Sequence, residues 1–196
     1  MKIKFCRSCK STKLSKVFSL GKQTLTGIFP PSKNAKITKG NLSLILCNQC
    51  KLLQLENNFN PHEMYGENYG YMSSLNKSMM THLKLKALNL QKKYNLKSDE
   101  NILDIGSNDG TFLSYFKKNF HLVGCDPTIK KFSKYYRKDI QQISNFFSGN
   151  LFKGKKFNLV TSISMFYDLP DPSRFAKEIN SILDKNGVWH IELSYM

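Results

Sequence analysis

The chain has 196 residues, 40% of them hydrophobic, and 30 Lys and Arg against 14 Asp and Glu give it a formal net charge of +16. That length suits one ordinary domain plus a small one, and no run of about eighteen apolar residues is present to span a membrane as a helix. The charge attracts polyanions, from nucleic acid to phosphorylated small molecules, without separating them, and Met1-Lys2-Ile3-Lys4-Phe5 runs into cysteine with no apolar leader, so the expected location is the cytoplasm.

Residues 1–60 read as a first unit. Cys6-Arg7-Ser8-Cys9 and Cys47-Asn48-Gln49-Cys50 are two C-x-x-C pairs. Each can set two thiolates on one tight turn, half of a tetrahedral Zn2+ site. Together Cys6, Cys9, Cys47 and Cys50 make a closed site with no open position, so the metal is expected to be structural. A segment with few large apolar residues needs such a staple. Disulfides and a redox motif are the alternatives. A reducing compartment argues against the first and the duplication against the second. Strands are expected over 16–20, 42–46 and 52–55, with Gly21, Gly27, Pro30, Pro31 and Gly40 breaking the segment into loops.

Residues 61–97 read as an aromatic linker and a helix. Tyr65 to Ser74 is a glycine-punctuated stretch of aromatic and hydroxyl residues. Tyr69 and Tyr71 can stack on a base or sugar and donate hydrogen bonds; the plainer reading is a linker whose tyrosines pack on the next domain. The helix is expected over 74–94, with Met79, His82, Leu83, Leu85 and Leu88 as its large-residue face and His82 as a satisfied interface histidine.

Residues 98–196 carry the most informative stretch, Ile102 to Leu113, I-L-D-I-G-S-N-D-G-T-F-L. It reads as a short buried strand, a small-residue turn from Gly106 to Gly110 and a helix start. Gly106 can take a backbone conformation closed to other residues and lets a ligand approach the main chain. Asn108 or Asp109 can cap the helix. Asn108 stands where the dinucleotide fingerprint has its second glycine, so this is not that motif. The run Leu122-Val123-Gly124-Cys125 ends at Asp126, twenty positions after Gly106. That is the distance of a strand-helix-strand unit with a ribose-binding carboxylate. Cys125 is expected to be a buried small apolar residue. Strands over 102–105, 122–125, around Ile143, 157–163 and 188–191 alternate with helices over 111–118, 128–137 and 173–183, which reads as α/β with a parallel, doubly wound sheet. Ligands sit beyond the carboxyl ends of such strands, so the loop from Ser164 to Pro172 should face the reacting groups, with Phe166 and Tyr167 divided between that role and core packing.

The stretch Asp104 to Gly110 resembles motif I of the class I S-adenosylmethionine (SAM) methyltransferases. Over the whole chain the order of motifs resembles the SAM-dependent C-methyltransferases of nucleotide-deoxysugar biosynthesis. Its marks are the cysteines from Cys6 to Cys50, a Tyr-x-Tyr-x-Ser segment at Tyr69 to Ser73, D-I-G-S-N-D-G at Asp104 to Gly110 and G-x-D-P at Gly124 to Pro127. The resemblance implies a class I SAM-methyltransferase sheet preceded by a small zinc domain. It sets Asp104, Gly106, Ser107, Asn108, Gly110, Asp126, Pro127, Asn145, Phe146 and Ser164 around the cofactor, with Asp126 on the ribose hydroxyls and the segment from Ser144 to Phe147 at the adenine. Tyr69, Tyr71 and Asp168 are the catalytic candidates. The implied reaction is methyl transfer to a carbon beside the keto group of a sugar nucleotide, after a general base removes the α proton.

Two departures stand against the family pattern. Asp168 occupies the position of an active-site His before the Pro-Asp pair, and the sequence reaches Met196 without the family's His-Glu-His segment. The expectation is therefore an incomplete sheet, in the N-terminal portion of a longer enzyme or in a split enzyme with a C-terminal partner chain, that binds SAM but does not turn over alone. The charge suggests a second reading, a zinc-containing nucleic-acid methyltransferase, although the N-P-P-Y loop and catalytic cysteine of such enzymes are absent. A third is a SAM- and zinc-binding fragment that needs its partner to act.

Overall fold

In the computed structural model the described residues are 2–25, 30, 32–66 and 68–194. Expectations resting on Met1, Gly27, Pro31, Glu67, Tyr195 and Met196 lie outside them. The chain forms two compact units. One runs to Tyr71 and includes Pro170–Ser173; the other holds Met72–Leu169 and runs on from Arg174.

The first unit is an antiparallel sheet of β1 (Leu14–Thr24), β2 (Lys39–Cys47) and β3 (Leu53–Leu55), in that order. The first two strands outrun the expected segments because two glycines act differently from loop breakers. Gly21 lies within β1 at φ 68°, where the register with β2 shifts between Ser19 and Lys22; it is a bulge residue. Gly40 lies within β2, and a Cβ there would overlap the Phe59 ring, so its missing side chain makes room for an aromatic. A short helix not foreseen in the sequence, α1 (Pro61–Tyr65), is started by Asn60, whose side chain accepts the His62 N–H. The buried apolar residues here are few, among them Cys6, Leu25, Ile45 and Cys47.

The second unit opens on a 3-10 turn, Ser73–Leu75, and α2 (Lys77–Lys93), which Asn76 caps by accepting the Ser78 and Met79 N–H groups. The buried stripe of α2 is Leu83, Ala87 and Leu90. Leu85 and Leu88, expected on the packed face, are 55% and 48% exposed. The i, i+4, i+7 spacing of the observed stripe obeys helical periodicity, and counting large side chains overlooked Ala87 at its centre.

Then follow β4 (Asn101–Ile105), α3 (Thr111–Ser114), β5 (His121–Cys125), α4 (Ile129–Phe132), β6 (Gln141–Ile143), β7 (Phe157–Ile163), α5 (Pro172–Ile182) and β8 (Leu183–Glu192). The five strands are parallel in the order β6-β5-β4-β7-β8. Side chains alternate across the sheet. Ile102, Leu122 and Leu159 join α2 and α3 in one core, while Leu103, Ile105, Val123 and Val160 join Phe175, Ile179 and Ile182 of α5 in another. Cys125 is buried in the second, as expected.

Two helices are shorter than their patterns suggest. In place of a helix over 111–118, α3 stops at Ser114, where Arg137 Nη1 donates to the carbonyls of Ser114 and Phe116 at 2.7 Å each. The Ser114 carbonyl is the acceptor that a helix reaching 118 would have used. In place of a helix over 128–137, α4 ends at Phe132 and gives way to a 3-10 turn, and Tyr136 leaves in an extended conformation, φ −70° and ψ 138°. Among the described residues no helix is long and apolar enough to cross a membrane.

Candidate functional site

Two chemical constellations stand out, one in each unit. In the first, Cys6, Cys9, Cys47 and Cys50 bring their sulfurs within 4.8 Å of one another, with Cys6–Cys50 and Cys9–Cys47 both at 3.6 Å. A disulfide would need about 2.05 Å, and the thiols are free. Thiolates bound to zinc at about 2.3 Å stand at the corners of a tetrahedron with edges of about 3.8 Å, which this cluster fits. Its two halves have the same build. Lys10 N–H donates to the Cys6 carbonyl at 3.1 Å and Lys51 N–H to the Cys47 carbonyl at 2.9 Å. Both lysines stand in left-handed conformation, φ 61° and 64°, so each knuckle is a tight turn closed just past its second cysteine.

The electrostatics of the cluster call for a cation. Burial works against ionising Cys6, but the Cys9 N–H, the Gln54 amide, the Ser8 N–H and Cys50 bring its thiol down to about 6. The Ser11 N–H lowers Cys9, yet burial and its contacts with Cys50, Cys47 and Cys6 push that thiol up to about 11. A divalent metal would offset part of the charge of four clustered thiolates.

In the second unit the strand order reverses beside β4: the chain passes from β4 out to β5 and β6, then returns to β7 on the other side. A crevice opens at such a switch point, at the carboxyl ends of the two strands. Gly106 follows β4 and Ser164 follows β7, with positive φ of 79° and 53°. A Cβ on Gly106 would stand 3.3 Å from Met165 Cγ, so a side chain there would close the gap between the two strand ends.

The turn from Gly106 to Gly110 is cross-braced. Asn108, at φ 50°, donates its N–H to Asp126 Oδ2 at 3.0 Å. Asp126 Oδ1 accepts the Thr128 N–H at 2.7 Å and the Thr128 hydroxyl at 2.5 Å. The expected motif pair is thus joined by a direct hydrogen bond. Helix α3 begins with Asp109 Oδ1 accepting the N–H and hydroxyl of Thr111 at 3.1 and 2.6 Å, while Gly110 takes the N-cap position in a left-handed conformation. Burial raises the Asp126 carboxyl above its ordinary range, with Asp109 adding to the effect against the bonds from Thr128 and Asn108. Donors offered by a ligand would favour its ionised form.

Asp104 is differently placed. Only 3% exposed, it accepts the Thr161 hydroxyl at 2.6 Å. Burial pushes its carboxyl up to about 7, opposed by that bond and reinforced by Asp126. It braces β4 against β7 beneath the crevice. Asn145 and Ser164 are exposed, Pro127 and Phe146 half-buried, all at strand ends. Asp168 closes a 3-10 turn after β7 and is half-buried. In the other unit Tyr65, Tyr69 and Tyr71 form a chain of rings with centroids 5.5 and 6.4 Å apart. His82, expected as a satisfied interface histidine, is exposed, with its Nε2 2.8 Å from Glu192 Oε1 of the same unit, and Lys86 pairs with the same carboxylate.

Sequence reasoning missed two contributors to the turn. The Tyr136 hydroxyl donates to the Asn108 carbonyl at 2.9 Å and meets Ser107 Oγ at 2.8 Å. Its ring occupies the space a Cβ on Gly110 would need, and a Cβ on Gly124 would stand 2.8 Å from Ser107 Oγ and 3.0 Å from the ring. A glycine in the middle of a strand was the available signal of such a close approach. The other contributor is main chain. Ser73 N–H donates to Asn108 Oδ1 at 3.0 Å and Ser74 N–H to Asp109 Oδ2 at 2.9 Å, so these serines act through their backbone.

A family model described as "Methyltransferase domain" matches residues 76–195, and one described as "Putative zinc binding domain" matches residues 6–65. Among solved structures, the chain is similar to one from Methanococcus maripaludis described as a "putative s-adenosyl-l-methionine-dependent methyltransferase", at 17% identity and a TM-score of 0.51 over 61% of this chain and 59% of that one. It is also similar to the plantazolicin methyltransferase BpumL, at 16% identity and a TM-score of 0.49 over 61% of this chain and 48% of that one. At such identities the likeness is one of fold. The chain spans about half the length of these structures. No curated protein matches it.

Proposed function

The chain belongs to the methyltransferase domain family, and we propose that it binds S-adenosylmethionine at the turn from Gly106 to Gly110 and serves methyl transfer to carbon on a nucleotide-linked keto-deoxysugar or a similar small molecule. The observation that carries the cofactor reading is the left-handed Gly106 at the switch point with the Asp126 carboxylate bonded to the same turn. In this reading Gly106 lets the main chain approach the ligand, and Asp126 keeps acceptor capacity for ribose hydroxyls beyond the N–H groups it already holds. Pro127, Asn145, Phe146 and Ser164 would line the rest, with Ser107, Asn108 and Gly110 shaping the turn and Asp104 supporting it.

Bound SAM supplies a methyl group on a positively charged sulfur, open to displacement by a carbanion. The protein's part is to hold the acceptor carbon in line, keep water out and stabilise the enolate oxygen. Tyr69 and Tyr71 are suited to donating hydrogen bonds to that oxygen. Asp168 is assigned to orienting the acceptor. The four cysteines hold a structural zinc. The acceptor class rests on the order of the zinc module, the Tyr-x-Tyr-x-Ser segment and the two SAM motifs.

The net charge of +16 favours a second reading, a nucleic-acid acceptor. An assay of labelled methyl transfer from SAM to a 4-keto sugar nucleotide, with RNA and duplex DNA as parallel acceptors, separates them. Label on a sugar carbon, located by NMR of the product, is the expected result where a C-terminal segment or partner chain supplies the general base. Label in nucleic acid, with affinity falling steeply with salt, would move the assignment to the second reading.

A further inference from the structure

Gln54 is the central residue of β3, paired with Ile45 of β2. It is 8% exposed, where the alternation of the strand calls for an apolar side chain. A buried amide must find partners, and those it finds are specific. Its Oε1 accepts the Arg7 N–H at 3.0 Å and Arg7 Nη1 at 3.3 Å. Its Nε2 donates to Cys6 Sγ at 3.4 Å. Two donors on the oxygen fix which way the amide faces, so the N–H side is the one turned to the sulfur. Arg7 is itself tied down. Nη1 donates to the Leu55 carbonyl at 2.6 Å, and Nη2 to the Asn57 carbonyl at 3.3 Å and Asn58 Oδ1 at 2.6 Å.

We propose that Gln54, oriented by Arg7, is a positioning residue of the metal site, holding the Cys6 thiolate in ligating geometry and stabilising its negative charge through an N–H···S hydrogen bond. This rests on the reading of the four cysteines as a zinc site. The physical reason is that four thiolates on one divalent ion leave a net charge of −2, and a buried donor to one sulfur both stabilises the negative charge on it and fixes the direction of its lone pairs. The guanidinium charge acts on Cys6 through space, and by holding Oε1 it keeps the amide from turning its oxygen toward the thiolate.

The test uses the full chain. Gln54→Met keeps the size of the side chain and removes the donor; Gln54→Glu replaces the donor with a carboxylate; Arg7→Lys keeps the charge and loses the fork. Zinc affinity is measured by competition with a chromophoric chelator, and the cobalt(II)-loaded protein is followed by its thiolate-to-metal charge-transfer band. Mass spectrometry reads alkylation at Cys6 in the zinc-loaded protein, with Cys50 as internal reference, and circular dichroism checks the fold. Gln54→Met should bind zinc about 10- to 100-fold more weakly, shift the charge-transfer band and raise the alkylation of Cys6 relative to Cys50. Gln54→Glu should be weaker still, and Arg7→Lys intermediate. Unchanged affinity, band and alkylation in a folded Gln54→Met protein overturn the role of Gln54 while leaving the zinc site intact. A wild-type protein that binds neither metal overturns the zinc reading and the inference with it.

Discussion

Asp104 is buried in the sheet with Thr161 as its hydrogen-bond donor, and burial holds its carboxyl near 7 against an ordinary 3.8. A carboxyl raised on folding binds its proton more tightly in the folded chain. The stability this contributes is fully present below the unfolded value and is lost as pH rises through the folded one. The ligand-free protein should therefore lose stability from about pH 4 to about pH 7 through this group and level off above. Asp104→Asn removes the titration. Melting temperatures of the two proteins from pH 5 to 8 should diverge in favour of the variant up to about pH 7, and parallel curves would show that Asp104 does not titrate in this range. Tyr136 makes a complementary case. Tyr136→Phe leaves the Asn108 carbonyl and Ser107 hydroxyl, both buried, without their partner, and should cost about 1–3 kcal/mol in denaturant unfolding. A loss below a few tenths would mean that water replaces the hydroxyl.

At the scale of elements, α2 shows how packing chooses among hydrophobic residues. Leu83→Ala in the buried stripe should cost about 2–5 kcal/mol, whereas Leu85→Ala on the exposed side should stay within about 0.5 kcal/mol; equal losses would put both leucines in the core. Strands β4, β5 and β7 of the parallel sheet could be read from the sequence because each carries a short apolar run closed by an acid, a glycine or a polar turn, whereas β6 is Gln-Gln-Ile and is marked by Ile143 alone. The lengths of α3 and α4 could not be read. What ends α3 is Arg137, more than twenty residues further on, taking the Ser114 and Phe116 carbonyls, and what ends α4 is the departure of Tyr136 toward the glycine turn. Both are tertiary causes with no local mark. The site divides the same way. Gly106, Asp126 and the four cysteines announce themselves by residue type and spacing, while Tyr136, Gln54 and the Ser73 and Ser74 amides act through contacts between distant segments.

At the scale of the molecule, each unit has its own means of holding together. The first has few buried large side chains and four clustered thiols, so removing zinc with a chelator should unfold it, as metal binding and folding are linked in small modules. Far-UV circular dichroism during chelation should lose the signal of its strands, and an unchanged spectrum would leave the metal without a structural role. The second unit has two apolar cores, one on each face of its sheet, and a turn at the switch point on which the account depends. The most direct test of that turn is isothermal calorimetry of SAM with the wild-type chain, Asp126→Ala and Gly106→Val, each checked for folding, with NAD as the competing ligand. The wild-type chain should bind SAM in preference to NAD. Asp126→Ala should bind about 1–3 kcal/mol more weakly, and Gly106→Val, whose side chain would close the crevice against Met165, should not bind. Equal SAM affinity in all three proteins, or tighter binding of NAD than of SAM, would contradict the assignment of this turn to SAM.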